Sequence, residues 1–265
     1  MNKLEIQKVS ASHGWLWINH GYRLIMRNPL QALPLSMVFA LGISLAMLIP
    51  LGGVFLALLM MPVLVVGYMR VCRSLEYNEK VQPRFVIAGF ESRTSQLISL
   101  GGMLLLGMII ISIFIAAMGG PTLNAILQNF QTQQDPTALI DALLSPESGL
   151  KLTLFTGFAL FFALMLAMQF APMLVYFNQM APRDALLLSL RASIRNIVPI
   201  SVYILIIQLI TFGLSVIPLG LGWLILLPLG LTSMYVAYRD IFATPEQAGS
   251  VQVDEMTKSD GSSAL

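Results

Sequence analysis

The chain has 265 residues, 57% of them hydrophobic and only 11% charged, with a mean hydropathy of +0.79. An ordinary soluble domain carries about 25% charged residues, so water-soluble classes are excluded. A net charge of +2 is too small to imply a nucleic-acid partner, and a single cysteine, Cys72, permits neither an intrachain disulfide nor a cysteine-based metal cluster.

Residues 1–12 are polar and are expected to fray. They lack a cleavable signal pattern, and the first apolar run is long enough to be retained as an anchor. Residues 13–27 are amphipathic: Trp15, Ile18, Tyr22 and Ile25 recur at helical spacing, while Asn19, Arg23 and Arg27 recur on another face. Pro29 disfavours helix at Asn28 and marks a joint. Aromatic rings and guanidinium groups on a short helix beside a span predict an interfacial helix, its rings (Trp15, Trp17) and arginines at headgroup level. The alternative is a cytosolic helix packed on the bundle.

Residues 28–69 form a run of 42 without Asp, Glu, Lys or Arg. A bilayer core takes about 20 helical residues to cross, so the run predicts two spans, 30–49 and 54–69, with Pro50-Leu51-Gly52-Gly53 at the turn. Ser36, Ala40 and Ser44 give the first span a small-residue stripe for close packing. Cys72 reads as a small apolar filler near a helix end. Residues 70–93 are charged, and Pro83 followed by Phe85, Val86, Ile87 and Phe90 predicts a short amphipathic piece. A third span follows at 96–118, then an outer loop, 119–151. There Leu123, Ile126, Leu127 and Phe130, and the pair Asp135-Pro136, predict two short capping helices, with a re-entrant element as the alternative. The fourth span, 152–177, carries Ala159, Ala163, Ala167 and Ala171 on one face and is expected to be the most tightly packed. Residues 181–196 are again amphipathic and basic. They lead into a second charge-free run, 196–238, of 43 residues with Pro218-Leu219-Gly220 near its middle, read as spans 197–217 and 220–238. The tail, 239–265, is polar and expected to be disordered. The fold class is therefore all-α: a polytopic integral membrane protein whose six transmembrane helices form three hairpins in one membrane domain.

With six spans, 14 of the 15 lysines and arginines fall on one side and Lys151 alone on the other. The positive-inside rule then predicts that both termini are cytoplasmic. A shift of 168 residues places Arg23, Arg27 and Asn28 on Arg191, Arg195 and Asn196, and the Ile49 to Gly52 turn on Ile217 to Gly220. Each unit has an even number of crossings, so the copies are parallel. The middle hairpin, which also follows a basic segment, is a candidate third copy.

The stretches GWLWINHGYRLIMRNP and ALLLSLRASIRNIVPI resemble the signatures of uncharacterised proteobacterial inner-membrane protein families, in which a basic amphipathic helix ending in Arg-Asn feeds each hairpin. The resemblance implies a six-helix protein of the bacterial inner membrane and carries over no catalytic residue.

His13 and His20 are about 10 Å apart on a helix, too far to chelate one ion unaided, and no metal set is completed around them. No nucleotide-binding loop, zinc-protease helix or nucleophile elbow is present, so no enzyme and no cofactor is expected. The spans contain no ionisable Asp, Glu, Lys, Arg or His, which argues against a proton-coupled pump. Two functions stay open. One is a non-enzymatic role in membrane or envelope organisation, the bilayer's phospholipid being the partner and Arg23, Arg27, Arg191, Arg195, Trp15 and Trp17 meeting anionic headgroups. The other is a facilitative transporter or channel for a small neutral or amphipathic solute, with Pro62, Gln169, Gln208 and Pro228 near the path, since interrupted helices in corresponding repeat positions point to a transport site.

Overall fold

Each charge-free run folds as a pair of helices in the computed structural model, which describes residues 4–50, 52–132, 149–216 and 222–242. Every regular element among the described residues is helical: α1 (His13–Arg27), α2 (Pro29–Met47), α3 (Gly53–Glu76), a 3-10 turn (Pro83–Ile87) running into α4 (Ala88–Glu91), α5 (Thr94–Thr132), α6 (Leu150–Phe177), α7 (Pro182–Arg195), α8 (Ile197–Ser215) and α9 (Trp223–Ile241). Six of them, α2, α3, α5 up to Gly120, α6, α8 and α9, are long and apolar enough to cross a membrane. The turn at 217–221, the tail from 243 and the second predicted capping helix lie outside the described residues. The first capping helix is present. The backbone leaves helical geometry at Gly120 (φ 50°, ψ −149°), a left-handed φ that glycine adopts without a Cβ clash, and then resumes as helix to Thr132.

Charge-free runs delimit spans better than helices. α3 continues through Arg70, Arg73 and Glu76, well beyond the predicted end of the span at 69, and stops where Asn78 turns left-handed (φ 53°). The Glu79 N–H then reaches back to the Ser74 carbonyl at 2.9 Å, which satisfies an end carbonyl the helix cannot.

The internal repeat is visible in the coordinates: α2 and α8 are offset by 168 residues at both ends, and α1 and α7 share the same offset at their ends, Arg27 and Arg195. The second helix of each pair is the inner one. In their most apolar stretches α3, α6 and α9 are 50%, 44% and 56% buried, against 28%, 22% and 11% for α2, α5 and α8. The middle pair obeys the same inner and outer rule as the two flanking pairs. The alanine face therefore does not make α6 the most enclosed span, since Ala159 is exposed and only Ala167 and Ala171 are buried.

Each short connecting helix packs on the inner helix of the preceding pair. The 3-10 turn and α4 lie on α3, α7 lies on α6, and α1 closes the circle by lying on α9, the last helix of the chain's described residues. Two devices allow such close approach. Ser189 of α7 accepts a hydrogen bond from the Phe170 N–H (3.1 Å) and donates to the Leu166 carbonyl (3.0 Å), the two groups an uninterrupted helix would pair with each other. Gly21, its equivalent by the 168-residue shift, faces Ser233, where a Cβ would lie 2.6 Å from the hydroxyl oxygen. Within the stretch expected to fray, residues 7–9 are held: the Gln7 N–H donates to the Ile241 carbonyl (2.9 Å), and the Asn196 side chain bonds the Gln7 carbonyl and the Val9 N–H, both at 2.9 Å.

Burial is concentrated in the half of the bundle that bears the arginines, where Trp17, Tyr68, Met69, Phe170 and Ile241 are among the largest fully enclosed side chains. A Cβ at Gly67 would overlap the Val86 carbonyl oxygen of the 3-10 turn. Gly67→Ala is therefore expected to push the turn off α3 and lower stability by about 1–3 kcal/mol, the usual range for overpacking, read as a lower unfolding temperature in detergent.

Candidate functional site

The basic end of the bundle carries two kinds of polar surface, an outward rim and an axial mouth. On the rim, Arg23 and Arg27 of α1 and Arg191 and Arg195 of α7 are all exposed, as the repeat requires. Among the described residues none of the four is in an ion pair, although Arg27 donates to the Glu76 carbonyl at 3.2 Å. Trp15 and Tyr22 are exposed on the same helix as Arg23.

Trp17 corrects the expectation of a ring at headgroup level. It is 1% exposed, packed edge-on against Tyr203, and its indole N–H donates to Asp240 at 2.7 Å, with His13 Nδ1 at 2.7 Å from the same carboxylate oxygen. The helix α1 is thus wedged against α8 and α9 through Gly14, Trp17, Ile18 and Gly21, and only its opposite face looks outward. The signal available in the sequence was the pair of glycines seven residues apart on the face that holds Trp17. Two turns separate them, and glycine at that spacing marks a face built for close contact.

The mouth was not anticipated. The inner helices α3, α6 and α9 end at a common level around an open cavity of about 180 Å³, lined by Arg73, Glu76, Tyr77, Phe177, Asn178, Tyr235, Tyr238, Arg239 and Phe242. Glu76 is its electrostatic centre. It pairs with Arg239 and accepts the Tyr235 hydroxyl at 2.6 Å. The Tyr238 hydroxyl donates to Asn178 Oδ1 at 2.5 Å. The Arg73 guanidinium lies over the rings of Phe177 (5.3 Å to the centroid) and Tyr77 (5.8 Å). These residues sit at the ends of long apolar helices, where charges close the spans as well as serve a site. Sequence spacing does not distinguish the two.

The residues expected along a transport path are not gathered. Pro62 and Pro228 are buried on α3 and α9, Gln169 is half-buried on α6, and Gln208 is on the exposed face of the outermost helix, α8. By the 168-residue shift Pro62 corresponds to Gly230, so the two prolines are two residues out of register. Among the described residues no group of three or more His, Cys, Asp or Glu could hold a metal ion, and Cys72 is fully buried.

The chain is 30% identical over 263 residues to a protein of Burkholderia thailandensis named "Probable inner membrane protein", a match covering 92% of this chain and 96% of that one. This chain belongs to that family. It is accordingly a multi-pass protein of the bacterial inner membrane in contact with the lipid bilayer, as the resemblance of its basic helices to proteobacterial inner-membrane families implied. No family model and no solved structure matches it.

In this family member Glu76 joins α3 to α9 at the mouth. Glu76→Ala leaves Arg239 without its carboxylate. Arg239 is 36% exposed, so the cost is expected to fall below the 3–5 kcal/mol of a fully buried pair, at about 2 kcal/mol. Tyr235→Phe, which removes one hydrogen bond, is expected to cost about 1 kcal/mol. Thermal unfolding in detergent measures both, and the ranking is the test.

Proposed function

We propose that this protein is a non-enzymatic component of membrane or envelope organisation that holds anionic phospholipid headgroups along an arginine rim on the cytoplasmic face. What supports the reading is the rim itself: exposed guanidinium groups at repeat-related positions on two helices, none of them in an ion pair among the described residues, beside exposed Trp15 and Tyr22. A guanidinium near an anionic membrane surface is attracted by about 1 kcal/mol. Four of them give a preference for anionic lipid that packing alone does not supply. The orientation follows from the distribution of cations, with Lys151 as the exception at the far end.

Facilitative transport is the weaker reading. It needs a path between the inner helices, and within two turns of the mouth these carry fully enclosed Tyr68, Met69, Phe170 and Leu174.

Orientation is tested with Lys151→Cys in a Cys72→Ser background. A membrane-impermeant maleimide is expected to label it from the periplasmic side of spheroplasts; labelling only in inside-out vesicles would reverse the topology. For the rim, replacing Arg23, Arg27, Arg191 and Arg195 by Gln is expected to deplete co-purified anionic phospholipid several-fold, at roughly fivefold in affinity per arginine. Unchanged lipid content in the purified variant would remove the lipid-holding role.

A further inference from the structure

We propose that the mouth between α3, α6 and α9 is a binding site for a phosphate ester, with the Arg73 guanidinium and the Asn178 amide as its donors.

An inventory of polar groups around the cavity leads there. The acceptors are spent: the Glu76 carboxylate takes Arg239 and the Tyr235 hydroxyl, and Asn178 Oδ1 takes the Tyr238 hydroxyl. Two neighbouring carboxylates are spent as well, Glu79 on Arg70 and Asp240 on His13 and Trp17. Donors remain. With Oδ1 turned to Tyr238, the Asn178 NH2 group faces no acceptor among the described residues. Among the described residues the Arg73 guanidinium has ring contacts, with Phe177 and Tyr77, and no ion pair. Stacking engages the flat face of a guanidinium and leaves its in-plane N–H fork free, the geometry that meets two oxygens of a phosphate at once.

The charge agrees with the donors. Arg73 and Arg239 line the cavity against the single carboxylate of Glu76. A cavity with surplus positive charge and surplus donors fits an anion rich in acceptors. Its walls, Phe177, Tyr238 and Phe242, limit water on one side and strengthen each charge-assisted bond inside. The ester can come from a phospholipid headgroup or from a soluble metabolite, since the donors read only the phosphate.

This assignment rests on the donors of the mouth and not on the outward arginines, so the two can fail separately. Full-length protein in a neutral, phosphate-free detergent is titrated with phosphatidate, followed by native mass spectrometry. Diacylglycerol of the same chains serves as the phosphate-free control. One phosphatidate is expected to bind per chain, saturably, with diacylglycerol at least tenfold weaker. Arg73→Gln is expected to weaken phosphatidate at least tenfold, and Arg73→Lys, which keeps the charge without the fork, by an intermediate factor. A variant with Arg23, Arg191 and Arg195 replaced by Gln is expected to keep this site. Glycerol 3-phosphate, added as a competitor, identifies the source: displacement of phosphatidate assigns a soluble ester, and failure to displace it assigns the lipid headgroup. Equal binding of phosphatidate and diacylglycerol, no saturable binding of either phosphate compound, or wild-type affinity in a folded Arg73→Gln protein would overturn the proposal.

Discussion

The contact between the first helix and the last is the constraint on which the bundle depends. The α1–α9 contact closes the three helix pairs into a ring, and α9 adds its own contacts to α2 and α3 at the same seam. The closure joins residues 187 to 234 positions apart, through Trp17 and His13 on Asp240 and through Gln7 and Val9 on Asn196 and Ile241. In a bilayer, lipid tails are as apolar as the helices, so no hydrophobic force gathers them. Close backbone approach and buried polar contacts must do so, and this junction has both, at Gly14 and Gly21 and at Trp17 on Asp240.

Repetition explains how one short sequence device serves three joints. A connecting helix leaves one inner helix, lies against it, and delivers the chain to the next outer helix. At the α6 joint a serine enters the backbone ladder, whereas at the α9 joint the same position is a glycine that brings two backbones together. Different chemistry fills one geometric role. That tolerance is the reason identities between the copies are few even though α2 and α8 have identical bounds once shifted.

The spans were legible because transfer into lipid is decided locally: a window without charge and of sufficient length crosses, whatever its neighbours do. The destination of α1 was not, because an amphipathic helix presents the same periodicity whether its apolar face meets lipid or protein. Trp15 and Trp17 make the point, being two residues apart on nearly opposite faces, one exposed and one enclosed. The mouth was illegible for another reason. Arg73, Glu76, Asn178 and Arg239 come from three pairs and meet only after the ring closes, so no spacing along the chain encodes their meeting. The prolines and glutamines that stood out in the sequence did so by rarity, and rarity alone does not bring groups into one place.

Protein neighbours thin out toward the end that carries Lys151. There Leu41, Leu45, Val54, Phe55, Phe155, Phe158, Leu209 and Phe212 are exposed, so that half of each hairpin has acyl chains for company. Its tilt is therefore set by the thickness of the hydrocarbon around it, at a cost of fractions of a kcal/mol per Å of mismatch. A thinner or thicker bilayer would splay or straighten the hairpin tips while the arginine-bearing base stayed fixed, which makes the molecule rigid on one leaflet and compliant on the other.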